Sequence, residues 1–155
     1  MNTLKTGQNG INLIESFESF QSKPYEDPVG IPTIGYGATY YPGGTKVTMQ
    51  DPEITQPQAE DMLKTELNTY ERAADSYVKS VINQNQFDSL VSFAYNLGVN
   101  SLKSSTLMRK VNINPEDPSI RAEFMKWVHA GGQVLEGLVR RRTAEANLYY
   151  TPISS

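Results

Sequence analysis

The chain contains no cysteine among its 155 residues, and this absence excludes several kinds of chemistry. A chain without thiols has no disulfide framework, no zinc–thiolate site and no cysteine nucleophile. It also has a single histidine, His129, so a histidine-based metal cluster is excluded. His129 precedes two glycines at a predicted helix end, where a surface charge partner is a simpler interpretation than a catalytic base. With no phosphate-binding glycine motif and no EF-hand spacing either, we expect neither a metal nor a cofactor.

Long apolar runs are missing as well. No stretch approaches the roughly 18 apolar residues that a membrane span needs, and the first ten residues lack the apolar region of a secretory signal. We therefore expect a soluble product with no stable membrane insertion, which stays in the cytoplasm where it is made until something else releases it.

Positive charge is scarce. The formal net charge is −3 and the isoelectric point is near 5.2, which argues against nucleic-acid binding because that function needs a basic surface. The one dense basic segment is Arg140, Arg141 and Arg142. It is either a solvated helix face with local ion pairs, or a feature that lies near an anionic polymer or a buried carboxylate.

What the chain does contain is a segregated pattern of helix and strand signals. Hydrophobic residues make up 38% and charged residues 20%, enough for an ordered core. Nine tyrosines suit either sugar-binding surfaces or ordinary packing, and we favour packing for most of them. Residues 10–20 are predicted to be a helix that Lys23-Pro24 ends, and the glycine-rich residues 24–50 are predicted to form two or three short antiparallel strands.

From Thr55 onward the chain is predicted to be helical. Thr55 and Gln58 have the spacing of a capping box, and the predicted helices are 55–80, one from Asn83 to Gly98, 102–111, one from Asp117-Pro118 to Gly131-Gly132, and 136–149. This pattern indicates the α+β class, with a small antiparallel sheet lobe, a helical lobe, a long helix joining them and a cleft between. We predict a single domain over 1–155. The sheet lobe is about 20–55, the helical lobe about 1–19 and 80–155, and the connecting helix about 56–80.

Glu18 is the first candidate for chemistry. On a helical wheel with Ile11 at zero, Ile14 and Phe17 fall at about 300° and 240°, and Glu18 falls at about 340°, inside the apolar stripe. Burial there would disfavour the charged carboxylate and raise the pKa of Glu18, as a general acid requires. The alternative is a structural ion pair with an arginine of the 140–142 run, which would lower that pKa.

Asp27 follows Glu18 by nine residues, and Thr33 follows Asp27 by six. Asp27-Pro28 is also a good turn starter, and Thr33 has ordinary β-propensity. Facing Glu18 across a cleft, however, Asp27 would be the second carboxylate of a glycosidase, and Thr33 would hold a water molecule beside it.

Four blocks of sequence resemble the phage lysozyme (endolysin) family, in the same order along the chain. They are Leu-Ile-Glu-Ser-Phe-Glu at 13–18 with Tyr-Glu-Asp-Pro-Val-Gly at 25–30 and Thr-Ile-Gly-Tyr-Gly at 33–37; residues 85–98; residues 105–110; and Gly-Leu-Val-Arg-Arg-Arg at 137–142 with Glu145. The resemblance covers nearly the whole chain. It implies a lysozyme-like fold and an endolysin that hydrolyses the β-1,4 bond between N-acetylmuramic acid and N-acetylglucosamine in bacterial peptidoglycan, for lysis of a phage host.

The same resemblance implies roles for individual residues. Glu18 would protonate the glycosidic oxygen, Asp27 would activate water or stabilise positive charge on the sugar, and Thr33 would position the water. Contacts with the glycan would come from five further residues: Gly35, Tyr36, Gly37, Tyr95 and Asn96. An arginine of the 140–142 run would pair with a carboxylate near the site, but the sequence does not say which one.

Three positions depart from the pattern of the family. Ser19 and Glu136 stand where many relatives have glycine and proline, and Ala38 stands where many have histidine. The loss of that histidine puts in doubt the local stability or substrate contact that it would provide. The acidic net charge likewise implies weaker attraction to an anionic wall.

Two other functions remain open. A lytic transglycosylase would act on the same bond with one carboxylic acid and leave anhydro-sugar ends, and a non-catalytic module would bind the wall without cleaving it. For the lysozyme interpretation we favour inversion of the sugar's configuration, and we expect a monomer whose partner is the glycan strand, present in the host cytoplasm before release.

Overall fold

The computed structural model describes residues 4–153, which contain seven helices and two small antiparallel sheets. This mixture confirms the predicted α+β class. The described residues form two compact units, one of residues 14–68 and one of residues 4–13 and 69–153.

The unit of residues 14–68 contains the larger sheet. Strands β1 (Gln21–Glu26) and β2 (Pro32–Gly35) pair antiparallel, with Tyr25 opposite Thr33. Two isolated antiparallel bridges continue the pairing of extended backbone beyond these strands. They join Ile34 to Ala38 and Tyr40 to Lys46. The sheet packs on a small core of buried apolar side chains: Ile34, Ala38, Val47 and Met62. Ala38 therefore contributes to the packing of this core.

Helix α1 (Gln8–Phe17) begins and ends earlier than predicted. Lys23-Pro24 does not end this helix, because both residues lie inside β1. Proline is tolerated there since the sheet has only two strands, so β1 has an edge whose N–H groups need no partner.

Helix α2 (Gln56–Tyr77) is the long helix that the sequence predicted. Its capping box is confirmed: the Thr55 backbone N–H donates to Gln58 Oε1 at 2.8 Å, and the Gln58 N–H donates to Thr55 Oγ1 at 3.3 Å. Residues 56–68 of this helix belong to the first unit and residues 69–77 to the second.

The second unit is mainly helical. Helix α3 (Gln84–Leu97) begins with a capping box between Asn83 and Gln86 and ends at Gly98, as predicted. Helix α7 (Glu136–Tyr149) also matches its prediction. Aromatic rings fill the core between these helices, with edge contacts of Phe93 with Phe124 and Trp127, and of Phe124 with Tyr149.

Two predicted helices of this unit differ in the structure. The predicted 102–111 helix is two helices, α4 (Val99–Ser104) and α5 (Thr106–Ile113). The break lies at Ser105, whose backbone is extended and whose hydroxyl accepts from the Met108 N–H at 3.0 Å, so that it caps a new helix.

The predicted helix from Asp117-Pro118 to Gly131-Gly132 is only one short helix, α6 (Ile120–Phe124). Strands β3 (His129–Ala130) and β4 (Gln133–Val134) follow and pair as a hairpin. Gly131 and Gly132 form its turn with φ of 60° and 79°, and two-residue hairpin turns favour glycine in this conformation. His129 is therefore an exposed strand residue, not the end of a helix. Within residues 4–153, every helix is too short or too polar to cross a membrane.

Candidate active site

Glu18 is the first residue after helix α1. Its backbone N–H donates to the Ile14 carbonyl at 2.9 Å and closes the last turn. The side chain of Glu18 is half-buried, as are those of Leu13 and Phe17 in the same stripe, so the full burial that the helical wheel suggested is not present.

Asp27 follows strand β1 and organises the loop between the two strands. Its Oδ1 accepts hydrogen bonds from the backbone N–H groups of Val29 and Ile31, both at 2.9 Å. Its Oδ2 has no hydrogen-bond partner among residues 4–153, and the side chain is half-buried. The turn role that the sequence left open is thus present, and it leaves one carboxylate oxygen for other contacts.

Thr33 lies in β2 and is buried, with 3% of its surface exposed. Its hydroxyl donates to the Ile31 carbonyl at 2.8 Å, which fixes the rotamer and leaves the oxygen's lone pairs as acceptors. Because Asp27 Oδ1 holds the N–H of that same Ile31, the two side chains are anchored on one peptide segment.

Tyr25 lies within electrostatic range of both predicted carboxylates, Glu18 and Asp27. Burial raises the pKa of the Tyr25 phenol, and the negative charges of Glu18 and Asp27 raise it further. Such an effect requires both carboxylates to lie within electrostatic range of one hydroxyl. Sequence reasoning missed Tyr25, although it belongs to one of the blocks quoted above.

The 35–37 segment is positioned partly by its own core contacts. Tyr36 is buried, its ring lies 5.7 Å from that of Phe20, and its hydroxyl accepts from Gln56 Nε2 at 2.9 Å. Its side chain is therefore structural, so contact of residues 35–37 with a ligand would come from the backbone. Gly37 lies beside Glu18, since a Cβ placed on it would be 4.0 Å from Glu18 Oε1.

Tyr95 and Asn96 belong to the second unit, near the end of α3. The Tyr95 ring makes an edge contact with Tyr70, with centroids 5.2 Å apart. Asn96 is exposed, and its Oδ1 accepts a hydrogen bond from Arg142 Nη2. The amide of Asn96 is thereby held in one orientation at the surface of this unit.

The basic run 140–142 divides into an exposed residue and two buried ones. Arg140 is exposed, whereas Arg141 and Arg142 are buried and both pair with Glu145, at 3.4 Å and 2.9 Å. The Ser92 hydroxyl also donates to Glu145 at 2.6 Å. The sequence left open which arginine of the run pairs with a carboxylate. In the structure Arg141 and Arg142 share Glu145.

Glu15 is a second residue that sequence reasoning missed. Burial, a hydrogen bond with Glu60 and the negative charge of Glu60 raise the pKa of Glu15 to about 7, while Lys64 opposes the shift. On a helical wheel with Ile11 at zero, Glu15 falls at about 40°, just outside the apolar stripe, so its position in the sequence gave only a weak signal. No cluster of three or more potential metal ligands occurs within residues 4–153.

Comparison with known proteins identifies relatives along almost the whole chain. The family model described as phage lysozyme matches residues 15–145. An endolysin of Bacillus phage PZA is 40% identical over 151 residues, which are 94% of this chain and 55% of that protein. The chain thus spans about half the length of that relative.

Solved structures give the same result for the fold. The endolysin from Escherichia coli O157:H7 phage FAHEc1 is 31% identical with a TM-score of 0.86, covering 96% of this chain and 95% of that one. A mutant of P22 lysozyme is 32% identical with a TM-score of 0.87, covering 96% and 99%. The predicted lysozyme-like fold is confirmed by these similarities.

Proposed function

Because the chain belongs to the phage lysozyme family, we propose that it cleaves the glycan strands of bacterial peptidoglycan during lysis of a phage host. More specifically, it hydrolyses the β-1,4 bond between N-acetylmuramic acid and N-acetylglucosamine. The protein acts as a monomer and without a cofactor, and it is held in the host cytoplasm before it reaches the wall. We also propose that residues 1–155 form a single lysozyme domain.

The proposed mechanism uses three side chains of the sheet-containing unit. Glu18 donates its proton to the glycosidic oxygen as positive charge develops on the sugar carbon. Asp27 stabilises that charge or activates the attacking water, and Thr33 holds the water through its oxygen. A glycosidase of this type needs two carboxyl groups with opposite protonation states, and each turnover returns the proton to the acid.

The observation that carries the proposal is the position of Tyr25, which is paired with Thr33 across β1 and β2 and lies within electrostatic range of both Glu18 and Asp27. It supports a site in which the two carboxylates and Thr33 lie around one tyrosine. The turn uses only Oδ1 of Asp27, so the other carboxylate oxygen is available for the proposed chemical role. Five further residues are proposed to contact the glycan: Gly35, Tyr36, Gly37, Tyr95 and Asn96.

The competing function is a lytic transglycosylase, which needs only one acid. The organised pair of Asp27 and Thr33 on the Ile31 segment favours hydrolysis, because a transglycosylase has no water to position. Mass spectrometry of the products decides between them. Reducing ends support hydrolysis, and anhydro-muramic ends contradict it.

Substitution of the acid tests the catalytic role. Glu18→Gln is expected to abolish release of reducing ends from purified peptidoglycan, because a carboxamide is too weak an acid to protonate the glycosidic oxygen, while thermal unfolding stays close to that of the wild type. Glu136→Gln is the matched control, since Glu136 is exposed and only weakly paired, at 3.9 Å from Arg140. Undiminished turnover by Glu18→Gln would remove Glu18 from the acid role. Binding to peptidoglycan without any release of sugar by the wild type would favour a non-catalytic module.

A further inference from the structure

A shallow groove of about 320 Å³ lies on the sheet-containing unit, next to the Asp27 loop. Its walls are formed by segments 30–32, 39–40 and 46–47. The groove is preformed, because the Val47 N–H donates to the Thr39 carbonyl at 2.9 Å and Tyr40 is bridged to Lys46. None of the proposed catalytic side chains lines it.

Apolar side chains around this groove are unusually exposed. Tyr40 is 49% exposed, Ile31 is 47% exposed, and the neighbouring Val29 is 79% exposed. The Tyr40 hydroxyl has no hydrogen-bond partner among residues 4–153. Clustered exposed apolar groups of this kind mark a surface that binds a ligand or partner.

The groove also carries one charge of each sign. Lys46 lies in its wall, is exposed, and makes no ion pair with any residue of 4–153. At Gly30, the Oε2 of Glu26 lies 3.5 Å from the place that a Cβ would occupy. A complementary ligand therefore combines small apolar groups with a carboxylate and an amine.

The groove is connected to the proposed chemistry through the Asp27 loop. Gly30 and Ile31 line the groove, and both donate backbone hydrogen bonds to Asp27, Gly30 to its carbonyl at 2.8 Å and Ile31 to its carboxylate at 2.9 Å. The groove and the Asp27 carboxylate therefore belong to one loop, and a group attached to a sugar at Asp27 has the groove beside it.

We propose that this groove binds the peptide stem of peptidoglycan, with Lys46 pairing with a stem carboxylate and Tyr40 covering the alanine methyl groups. The inference rests on the proposed function, because it assumes that the glycan lies at Asp27. The stem is attached to the muramic acid sugar, carries carboxylates and alanines, and has an amine on its third residue. It therefore matches the groove in both charge and polarity, whereas a strand stripped of its stems keeps only the lactyl carboxylate of each muramic acid and has no alanine or amine for the groove.

The test compares two substrates: intact peptidoglycan, and the glycan strands left after an amidase has removed the stems. Lys46→Ala is expected to raise KM on intact peptidoglycan roughly two- to fivefold, as loss of an exposed ion pair allows, with kcat unchanged. Lys46→Glu is expected to raise KM further, and Lys46→Arg to restore it. On strands without stems all of these variants should match the wild type. The effect should shrink in high salt, because exposed charges are screened.

Lys79→Ala and Lys79→Glu are matched controls, since Lys79 is also exposed and lies outside the groove. Equal losses on both substrates would overturn the proposal in favour of a glycan contact, and wild-type values for Lys46→Glu on intact peptidoglycan would overturn it outright. A wild-type protein that releases no sugar from either substrate would contradict the proposed function instead. A binding assay then tests the groove independently of catalysis. Co-sedimentation of the protein with insoluble peptidoglycan should be weakened by Lys46→Glu and by added free stem peptide, and it should be unaffected by Lys79→Glu.

Discussion

The guanidinium of Arg142 and the carboxylate of Glu145 lie 2.9 Å apart on α7, and both side chains are completely buried. Two further contacts complete this arrangement. The Ser92 hydroxyl on α3 donates to the same carboxylate, and the guanidinium also donates to Asn96. One buried ion pair therefore both joins α3 to α7 and orients a residue that we propose to contact the glycan.

Removal of one partner from this pair should be strongly destabilising. Glu145→Ala leaves buried arginine charge without its carboxylate, and we expect a loss of about 3–5 kcal/mol in the free energy of unfolding, measured by urea denaturation. Glu136→Ala, which removes the exposed carboxylate of the Arg140 pair, should cost less than about 1 kcal/mol. Similar losses for the two variants would show that the buried pair contributes no more than a surface one.

Alanine substitutions at Gly37 and Gly44 together test whether residue 37 lies at the proposed active site. Both have a positive φ, 93° and 92°, so an alanine at either position costs about 1–2 kcal/mol of stability. Only at Gly37 would the added Cβ lie close to Glu18 Oε1, at 4.0 Å, whereas nothing lies within 4 Å at Gly44. We expect Gly37→Ala to lower kcat/KM on peptidoglycan well below the value for Gly44→Ala, at equal loss of stability. Equal activities would place residue 37 outside the site.

Two substitutions at Asp27 separate its turn role from its chemical role. Asp27→Asn keeps an oxygen that accepts from Val29 and Ile31 but removes the charge, so we expect near-native thermal unfolding and a large loss of kcat. Asp27→Ala removes both hydrogen bonds and should also lose about 1 kcal/mol or more of stability. An Asp27→Asn variant with wild-type kcat would leave Asp27 with the turn role alone.

Glu15 should make stability depend on pH. Its pKa rises from 4.5 to about 7 in the folded protein, so between these values the folded state binds more protons than the unfolded state. Stability therefore falls as pH rises through this window. Glu15→Gln does not titrate in this range. Its melting temperature should therefore rise relative to that of the wild type as the pH increases from 4.5 to 7.

The groups that face Glu15 provide the check on this prediction. Glu60→Gln should move the loss of stability to lower pH. The negative charge of Glu60 no longer raises the pKa of Glu15, and the amide of the new glutamine can donate a hydrogen bond to the Glu15 carboxylate. Lys64→Met should shift it to higher pH, since Lys64 lowers the pKa of Glu15 and pairs with Glu60 at 3.7 Å. A constant difference between wild type and Glu15→Gln across this pH range would contradict the raised pKa.

The sequence by itself determined the features that depend on near neighbours. The capping box at Thr55 was predicted because it is closed by hydrogen bonds between residues three apart. The glycine-rich segment after residue 24 likewise predicted short strands, and the order of the motif blocks indicated the family.

Only the tertiary structure decided the features that depend on distant partners or on removal from water. Helical periodicity placed Glu18 in the apolar stripe, but only the folded structure shows that this residue follows the end of the helix and that its side chain is half-buried. Arg142 and Glu145 are only three positions apart, but their complete burial and the hydrogen bond from Ser92, 53 positions away from Glu145, depend on the packing of distant segments. The raised pKa of Glu15 depends on burial and on Glu60 from another helix. Helix periodicity records which residues share a face, whereas the free energy of a charge depends on what surrounds it once the chain has folded.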